Sequence, residues 1–136
     1  MTTKGVEGPL KASEELEAAR ACRLGYGAYI YPIAEGEEVV GHLAHRAWVG
    51  YRYLEFQGET VCELVGASAT GGGKVEIWAD GDLVGVCDIS CTGGWTKWQT
   101  MSCEITPVYG VKALFLVIQG KDAERKVMEL KSIRFR

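Results

Sequence analysis

Lys74-Val75-Glu76-Ile77-Trp78-Ala79-Asp80-Gly81-Asp82 alternates between apolar and polar side chains and then breaks at glycine. Val75, Ile77 and Ala79 share one face of an extended chain, and Glu76 and Trp78 share the other, because successive strand side chains point to opposite sides. A period of two marks a half-buried strand and not a helix. Asp80-Gly81-Asp82 reads as the hairpin turn that returns the chain, since the remaining ligand ladder of a calcium loop is missing.

The same pattern extends in both directions. In Val111 to Gln119, Leu114, Leu116 and Ile118 line one face, with Phe115, Val117 and Gln119 opposite. Strands are expected at about 15–23, 38–44, 47–56, 60–68, 73–79, 83–89, 97–105, 111–119 and 126–135. Turns are expected at Gly71-Gly72-Gly73, Asp80-Gly81-Asp82, Gly93-Gly94, Tyr109-Gly110 and Gly120. About nine short antiparallel strands predict an all-β fold, a β-sandwich in a single domain. Glu14 to Arg20 looks helical by propensity, and sheet pairing is expected to override at least its second half. Residues 1–12 read as a leader or linker and 13–136 as the folded module.

A chain of 136 residues builds a core without help from metals or disulfides. Its net charge of −3 supplies no basic field, which argues against a nucleic-acid partner. No apolar run approaches 18 residues, so no membrane-spanning helix is expected, and Met1 to Lys11 lacks a signal-peptide core. Five cysteines (Cys22, Cys62, Cys87, Cys91, Cys103) cannot all pair internally. Most are expected to be small buried hydrophobes. They leave the redox compartment open.

Catalytic constellations are poor. His42 and His45 are three apart, which on a strand places them on opposite faces, so a shared metal is not expected. The serines lack a nucleophile elbow. Neighbouring carboxylates such as Glu37 and Glu38 point apart on a strand and cannot flank one glycosidic bond. Aromatic side chains are the surplus. Tyr26, Tyr29 and Tyr31 crowd one glycine-rich, loop-like segment. Thr92-Gly93-Gly94-Trp95-Thr96-Lys97-Trp98 puts an indole directly after a glycine turn. Such rings offer an apolar face beside a polar handle, which suits a pyranose ring with its C–H patches and hydroxyl rim.

Several segments resemble the family 6 carbohydrate-binding modules. They are Gly72-Gly73-Lys74-Val75-Glu76-Ile77, Leu83-Val84-Gly85, Thr92 to Trp98, and Val108 to Val117. Leu16-Glu17-Ala18, Val39 to Leu43 and Trp48 to Tyr51 fit more loosely. The likeness runs from about Ser13 to Phe135. It implies a jelly-roll sandwich that binds polysaccharide without catalysis, usually appended to an extracellular glycoside hydrolase. It places the main site in a loop cleft, where Trp95 faces a second ring, for which Tyr29 is favoured over Tyr31 and Tyr26. A second site on the concave sheet face would use Glu76, with Trp78 beside it, and with His42 and Gln119 as further candidates. Trp98 is assigned to the core.

The chain departs from the family pattern where Glu129 replaces a sugar-contacting asparagine, and where Lys131 and Ala19 replace two carboxylates of a structural calcium site. The resemblance therefore implies a lost calcium site and no cofactor, with Lys131 standing in by pairing with Glu17 or a neighbour. The expected ligand is a β-linked glycan such as xylan or β-glucan, and the expected location is extracellular, as part of a larger protein. The alternatives are a module of the same fold that has lost sugar binding and, last, a small hydrolase.

Overall fold

The structure, a computed structural model, describes residues 10–21, 23–25, 28–34, 37–69, 73–120 and 126–136. Ten strands follow in chain order: β1 (Leu10–Lys11), β2 (Leu16–Glu17), β3 (Arg23–Gly25), β4 (Tyr29–Ala34), β5 (Glu37–Ala44), β6 (Trp48–Ala67), β7 (Gly73–Ala79), β8 (Asp82–Ile89), β9 (Gln99–Gln119) and β10 (Lys126–Phe135). One 3-10 turn, Ala18–Arg20, lies between β2 and β3. The main ladder runs β4-β5-β10-β6-β9-β7-β8, with β2 on β10 and with β1 and β3 on β6. Every pairing is antiparallel except β1 with β6. Among the described residues no helix is long and apolar enough to cross a membrane.

β6 and β9 are 20 and 21 residues long and pair along nearly their whole length. Their far halves carry different neighbours: β10 flanks residues 62–67 of β6, whereas β3 flanks its residues 48–50 and β7 flanks residues 114–119 of β9. The register shifts three times between Tyr51 and Val61. Gly58 and Gly110 take positive φ there, 91° and 90°, a conformation that L side chains resist. Residues 105–107 have no partner on β6, and Pro107, which has no N–H to give a ladder, sits in that gap. These bulges bend the two strands so that one half of the sheet folds over the other.

The covered faces form one core. Val75, Ile77 and Ala79 of β7, Leu114, Leu116 and Ile118 of β9, and Leu64, Met128, Leu130, Ile133 and Phe135 from the opposite half are all buried in it. Phe56, within the bend, meets Phe135 edge-on with ring centroids 5.1 Å apart. The Tyr51 hydroxyl donates to the Ala18 carbonyl at 2.8 Å and ties the 3-10 turn down.

The two-faced reading of β7 and β9 holds, as does the hairpin turn: Asp80 and Gly81 both have positive φ between β7 and β8, as a two-residue primed turn requires. Other expectations need correction. Residues 47–56 and 60–68 are one strand, and so are 97–105 and 111–119 from Gln99 onward. Tyr109-Gly110 is thus a bulge within β9 and not a turn, because a positive-φ glycine serves either purpose. Tyr29 and Tyr31 lie on strand β4, opposite Gly41 and Val39, and not in a loop. In the segment expected to be helical and then extended, the order is reversed: Leu16–Glu17 pairs with β10, and the 3-10 turn follows. The chain joins the sheet by Leu10, and Ala12 is 2% exposed.

Replacing Phe56 by Ala removes an edge-on ring contact across the bend. We expect a loss of about 3–5 kcal/mol, read as a lower midpoint in denaturant unfolding with an unchanged slope.

Candidate functional site

The uncovered face of the β7 half presents alternate residues from each strand. Trp78 pairs with Phe115, Glu76 with Val117, and Lys74 with Gln119 across β7 and β9; Val117 in turn pairs with Trp48 on β6. Residues directly opposite in an antiparallel ladder share a face, so these side chains form a single surface. Glu76 is its polar centre. Trp78 Nε1 donates to Glu76 Oε1 at 3.2 Å, and Gln119 Nε2 donates to Glu76 Oε2 at 3.1 Å. Both carboxylate oxygens are therefore oriented while retaining lone pairs for further donors.

Aromatic rings extend this surface. Trp48 and Phe115 stand 5.8 Å apart at a tilt of 50°. Each leans over a glycine: a Cβ on Gly25 would run into the Trp48 indole, and one on Gly50 would come within 2.8 Å of Phe115 Cε2. Glu76, Trp78 and Gln119, expected from the sequence at a sheet-face site, are joined by hydrogen bonds in the structure. His42 lies on β5, which pairs with β4 and β10 in the other half; its side chain is outside the described residues. Trp48 and Phe115 were missed as members of this surface. The alternation of β9 already put Phe115 beside Gln119, but only the register shows that Trp78 and Trp48 flank it.

The Trp95 turn is built differently. Thr92 is buried, and its Oγ1 accepts the Ser68 N–H at 3.0 Å, with the Gly94 and Ser68 carbonyls at 3.1 and 3.3 Å to receive its proton. The Thr92 N–H donates to the Ser68 carbonyl at 2.7 Å, and Ser68 Oγ donates to the Val127 carbonyl at 2.5 Å. Three segments meet there: the end of β6, the start of the turn and β10. Gly93 then reverses the chain at a φ of 95° with open space around it, so its conformation, not crowding, demands glycine. The Lys97 N–H closes the turn on the Gly94 carbonyl at 3.3 Å, and Trp95 is left half-buried.

Glu129 pairs with Ala67 on β6, one residue before Ser68, and so stands at the root of this turn. It is 3% exposed, and burial pushes its carboxyl above the usual carboxylate range. The side chains of Tyr29 and Tyr31, and all of Tyr26, lie outside the described residues. The expected ring opposite Trp95 therefore falls on residues whose side chains are not described.

The positions implied for calcium do not fit that ion. Ala19 brings a methyl group, and Lys131 brings an ammonium that lies over the Trp98 ring, 5.6 Å from its centroid. Such a contact contributes about 0.5–1 kcal/mol near a surface. Trp98 is half-buried against this cation and is not a core residue. Among the described residues no three His, Cys, Asp or Glu side chains form a metal-binding group. His45 instead accepts the Gly120 N–H on Nδ1 at 3.1 Å and fixes the end of β9.

The cysteines also differ from expectation. Among the described residues Cys87 and Cys103 form a disulfide, Cys91 is exposed and free, and Cys62 is a buried free thiol. Spacing alone could not reveal the pair, because β8 and β9 meet through the fold of the sheet.

Comparison with known proteins bears on this geometry. A family model, Carbohydrate binding module (family 6), matches residues 18–136. A family 6 carbohydrate-binding module from Clostridium cellulolyticum, solved in complex with xylose, is 28% identical, with a TM-score of 0.86 over 93% of this chain and 98% of that one. A β-1,3-glucan-binding module of the same family from Bacillus halodurans is 26% identical, with a TM-score of 0.85 over 95% and 99%. The clotting factor G alpha subunit of Tachypleus tridentatus is 32% identical over 77 residues, 54% of this chain. The chain spans about a tenth of the length of that relative, 11%.

Two outcomes follow from the turn and its root. Thr92→Val removes the hydroxyl that accepts the buried Ser68 N–H. It should cost about 1–3 kcal/mol and speed hydrogen exchange at Ser68, whereas Thr92→Ser should keep most of both. Glu129 carries a raised folded pKa, so its contribution to stability is fully present below the ordinary carboxylate pKa and is lost as pH rises through the folded value. Glu129→Gln should therefore gain in melting temperature relative to wild type between pH 4 and pH 7; a constant difference across that range would refute the assignment.

Proposed function

This chain belongs to the family 6 carbohydrate-binding modules, a non-catalytic family, and we propose that it binds a β-linked polysaccharide through the Trp95 turn. The observation that carries this reading is the turn itself: a half-exposed indole on a loop held by the Ser68–Thr92–Val127 hydrogen bonds. An aromatic platform fixed before the ligand arrives loses little entropy on binding, and its flat face suits the C–H side of a pyranose. Xylan and β-glucan are the ligands of choice. The xylose-bound and β-1,3-glucan-binding relatives are above 25% identical over nearly the whole chain, and they support that class.

A second reading is favoured by a specific observation. Glu76, held by Trp78 and Gln119 on an aromatic sheet face, is an oriented acceptor beside stacking rings, which is what a sugar diol requires. The buried Glu129 offers less to a sugar hydroxyl than its position in sequence suggested.

The module is read as one part of a longer extracellular protein that brings a glycoside hydrolase to its substrate, raising its effective concentration there. The Cys87–Cys103 disulfide suits an oxidising compartment. Calcium is not required on this reading, because Ala19 and Lys131 supply a methyl group and a cation where the resemblance expects two carboxylates; the Lys131 ammonium lies over the Trp98 ring, where pairing with Glu17 was expected.

Affinity electrophoresis and calorimetry on soluble xylan and β-1,3-glucan test these readings. Trp95→Ala should weaken binding at least tenfold, with an unchanged melting temperature, if the turn is the site. Glu76→Ala and Trp78→Ala should do so if the sheet face is used. Retardation by no glycan would favour a module of this fold that has lost sugar binding. Chelator and added calcium should leave the melting temperature the same; a calcium-dependent rise would overturn the ion-free reading.

A further inference from the structure

Three cysteines converge where the two halves of the sheet close on each other. Cys62 on β6 and Cys103 on β9 are direct partners in the antiparallel ladder. On β9, Met101 and Ile105 flank Cys103 at alternate buried positions, and on β6 Cys62 alternates with buried Leu64, so both sulfur-bearing side chains face inward. Cys87, buried on β8, reaches the same Cys103 from the other side with a Cα separation of 5.2 Å. Direct antiparallel partners have Cα separations of about 4.5 or 5.5 Å, and both values fall inside the range that a disulfide spans. Cys103 thus stands between two candidate partners, one bonded and one free.

We propose that Cys62, Cys103 and Cys87 form a thiol–disulfide exchange site, in which Cys62 displaces Cys87 from Cys103 and moves the cross-link from β8–β9 to β6–β9. The Cys62 thiolate attacks Cys103 Sγ, and the Cys62–Cys103 bond forms as the Cys103–Cys87 bond breaks. The electron pair leaves on Cys87 Sγ, which takes up the proton that Cys62 released. One disulfide and one thiol enter, and one of each leave, so no external oxidant or reductant is consumed.

The resting pairing with Cys87 persists for a kinetic reason. Burial, with a smaller contribution from the neighbouring Glu63 carboxylate, pushes the Cys62 thiol up to about 12. The attacking thiolate is therefore present at only about one part in 10⁵ at neutral pH. Exchange waits for an opening at this edge. β8 ends the ladder and hydrogen-bonds only β7, the kind of element that opens locally before the rest of a fold. After exchange, β8 and the segment that leads from Ile89 to Thr92 lose their covalent tie to β9. If the Trp95 turn is the glycan site proposed above, that loosening lowers affinity; the exchange chemistry itself is independent of that reading.

The test reads the chemistry without any ligand. Cys87→Ser is refolded in a mixture of oxidised and reduced glutathione and mapped by non-reducing peptide mass spectrometry. A Cys62–Cys103 bond in most chains, with a cooperative melt retained, is the expected result. A folded Cys87→Ser protein whose Cys62 and Cys103 are both alkylated as free thiols would overturn the proposal. Should that variant fail to fold, wild-type protein is held in sub-denaturing guanidinium, quenched in acid, then unfolded and alkylated. Label should move with time from Cys62 to Cys87, and should not move in Cys62→Ser; label that stays on Cys62 overturns it. Glycan affinity of the exchanged wild-type species then tests the functional consequence separately.

Discussion

The bend shared by β6 and β9 is the constraint on which the rest of the molecule depends. Two strands of about twenty residues each cannot stay flat and still bury their apolar faces, because a single layer leaves one side of every strand in water. Register shifts and the positive-φ glycines at 58 and 110 let each strand serve both layers. What folds inward is the row from Leu114 to Ile118 together with its counterparts on β7, β6 and β10. What remains outside is the alternate row, and that row carries Glu76, Trp78, Phe115 and Gln119. Core and candidate ligand surface are thus the two sides of the same residues' alternation.

This relation explains what the sequence could and could not convey. Alternation in Lys74–Asp80 and Val111–Gln119 was legible because it is local: it put Glu76 with Trp78 and Phe115 with Gln119, and the family resemblance marked that face as a site. The register between those strands is set by distant contacts, so nothing local revealed that Phe115 lies against Trp78 or that Trp48 completes the row. Gly58 and Gly110 were ambiguous for a related reason. A positive-φ glycine breaks a ladder or merely bends it, and only the partner strand decides. β4 was hidden because three tyrosines among glycines look like a loop until β5 lies alongside. The Cys87–Cys103 pair was invisible for the same cause, since β8 and β9 meet only after the halves close.

Two devices hold the turn region. Ser68 and Thr92 exchange hydrogen bonds between the end of β6 and the start of the turn, and Ser68 passes one on to β10. Nearby, Lys131 rests on Trp98. On β10's next residues, Ser132 Oγ donates to a Glu15 oxygen at 3.1 Å and Arg134 Nε to the Ser13 carbonyl at 3.1 Å. A divalent ion ties segments together by collecting oxygens from several of them. Here β10 is joined to its neighbours by a hydroxyl, a cation on a ring and a guanidinium on a carbonyl, each weak alone.

Among the described residues β8 ends the ladder with no strand paired to its outer edge, and its Leu83 and Val86 are 48% and 40% exposed. A strand with that composition and a free edge is a template on which another chain can pair. Asp82 and Asp88 place negative charge at both ends of the strand, and the bond from Cys87 holds its second end against β9. The disulfide therefore has a second consequence besides closing the sandwich. It keeps that adhesive edge strand anchored to the body of the sandwich, so colloidal solubility, and not only the folding equilibrium, is tied to the cross-link.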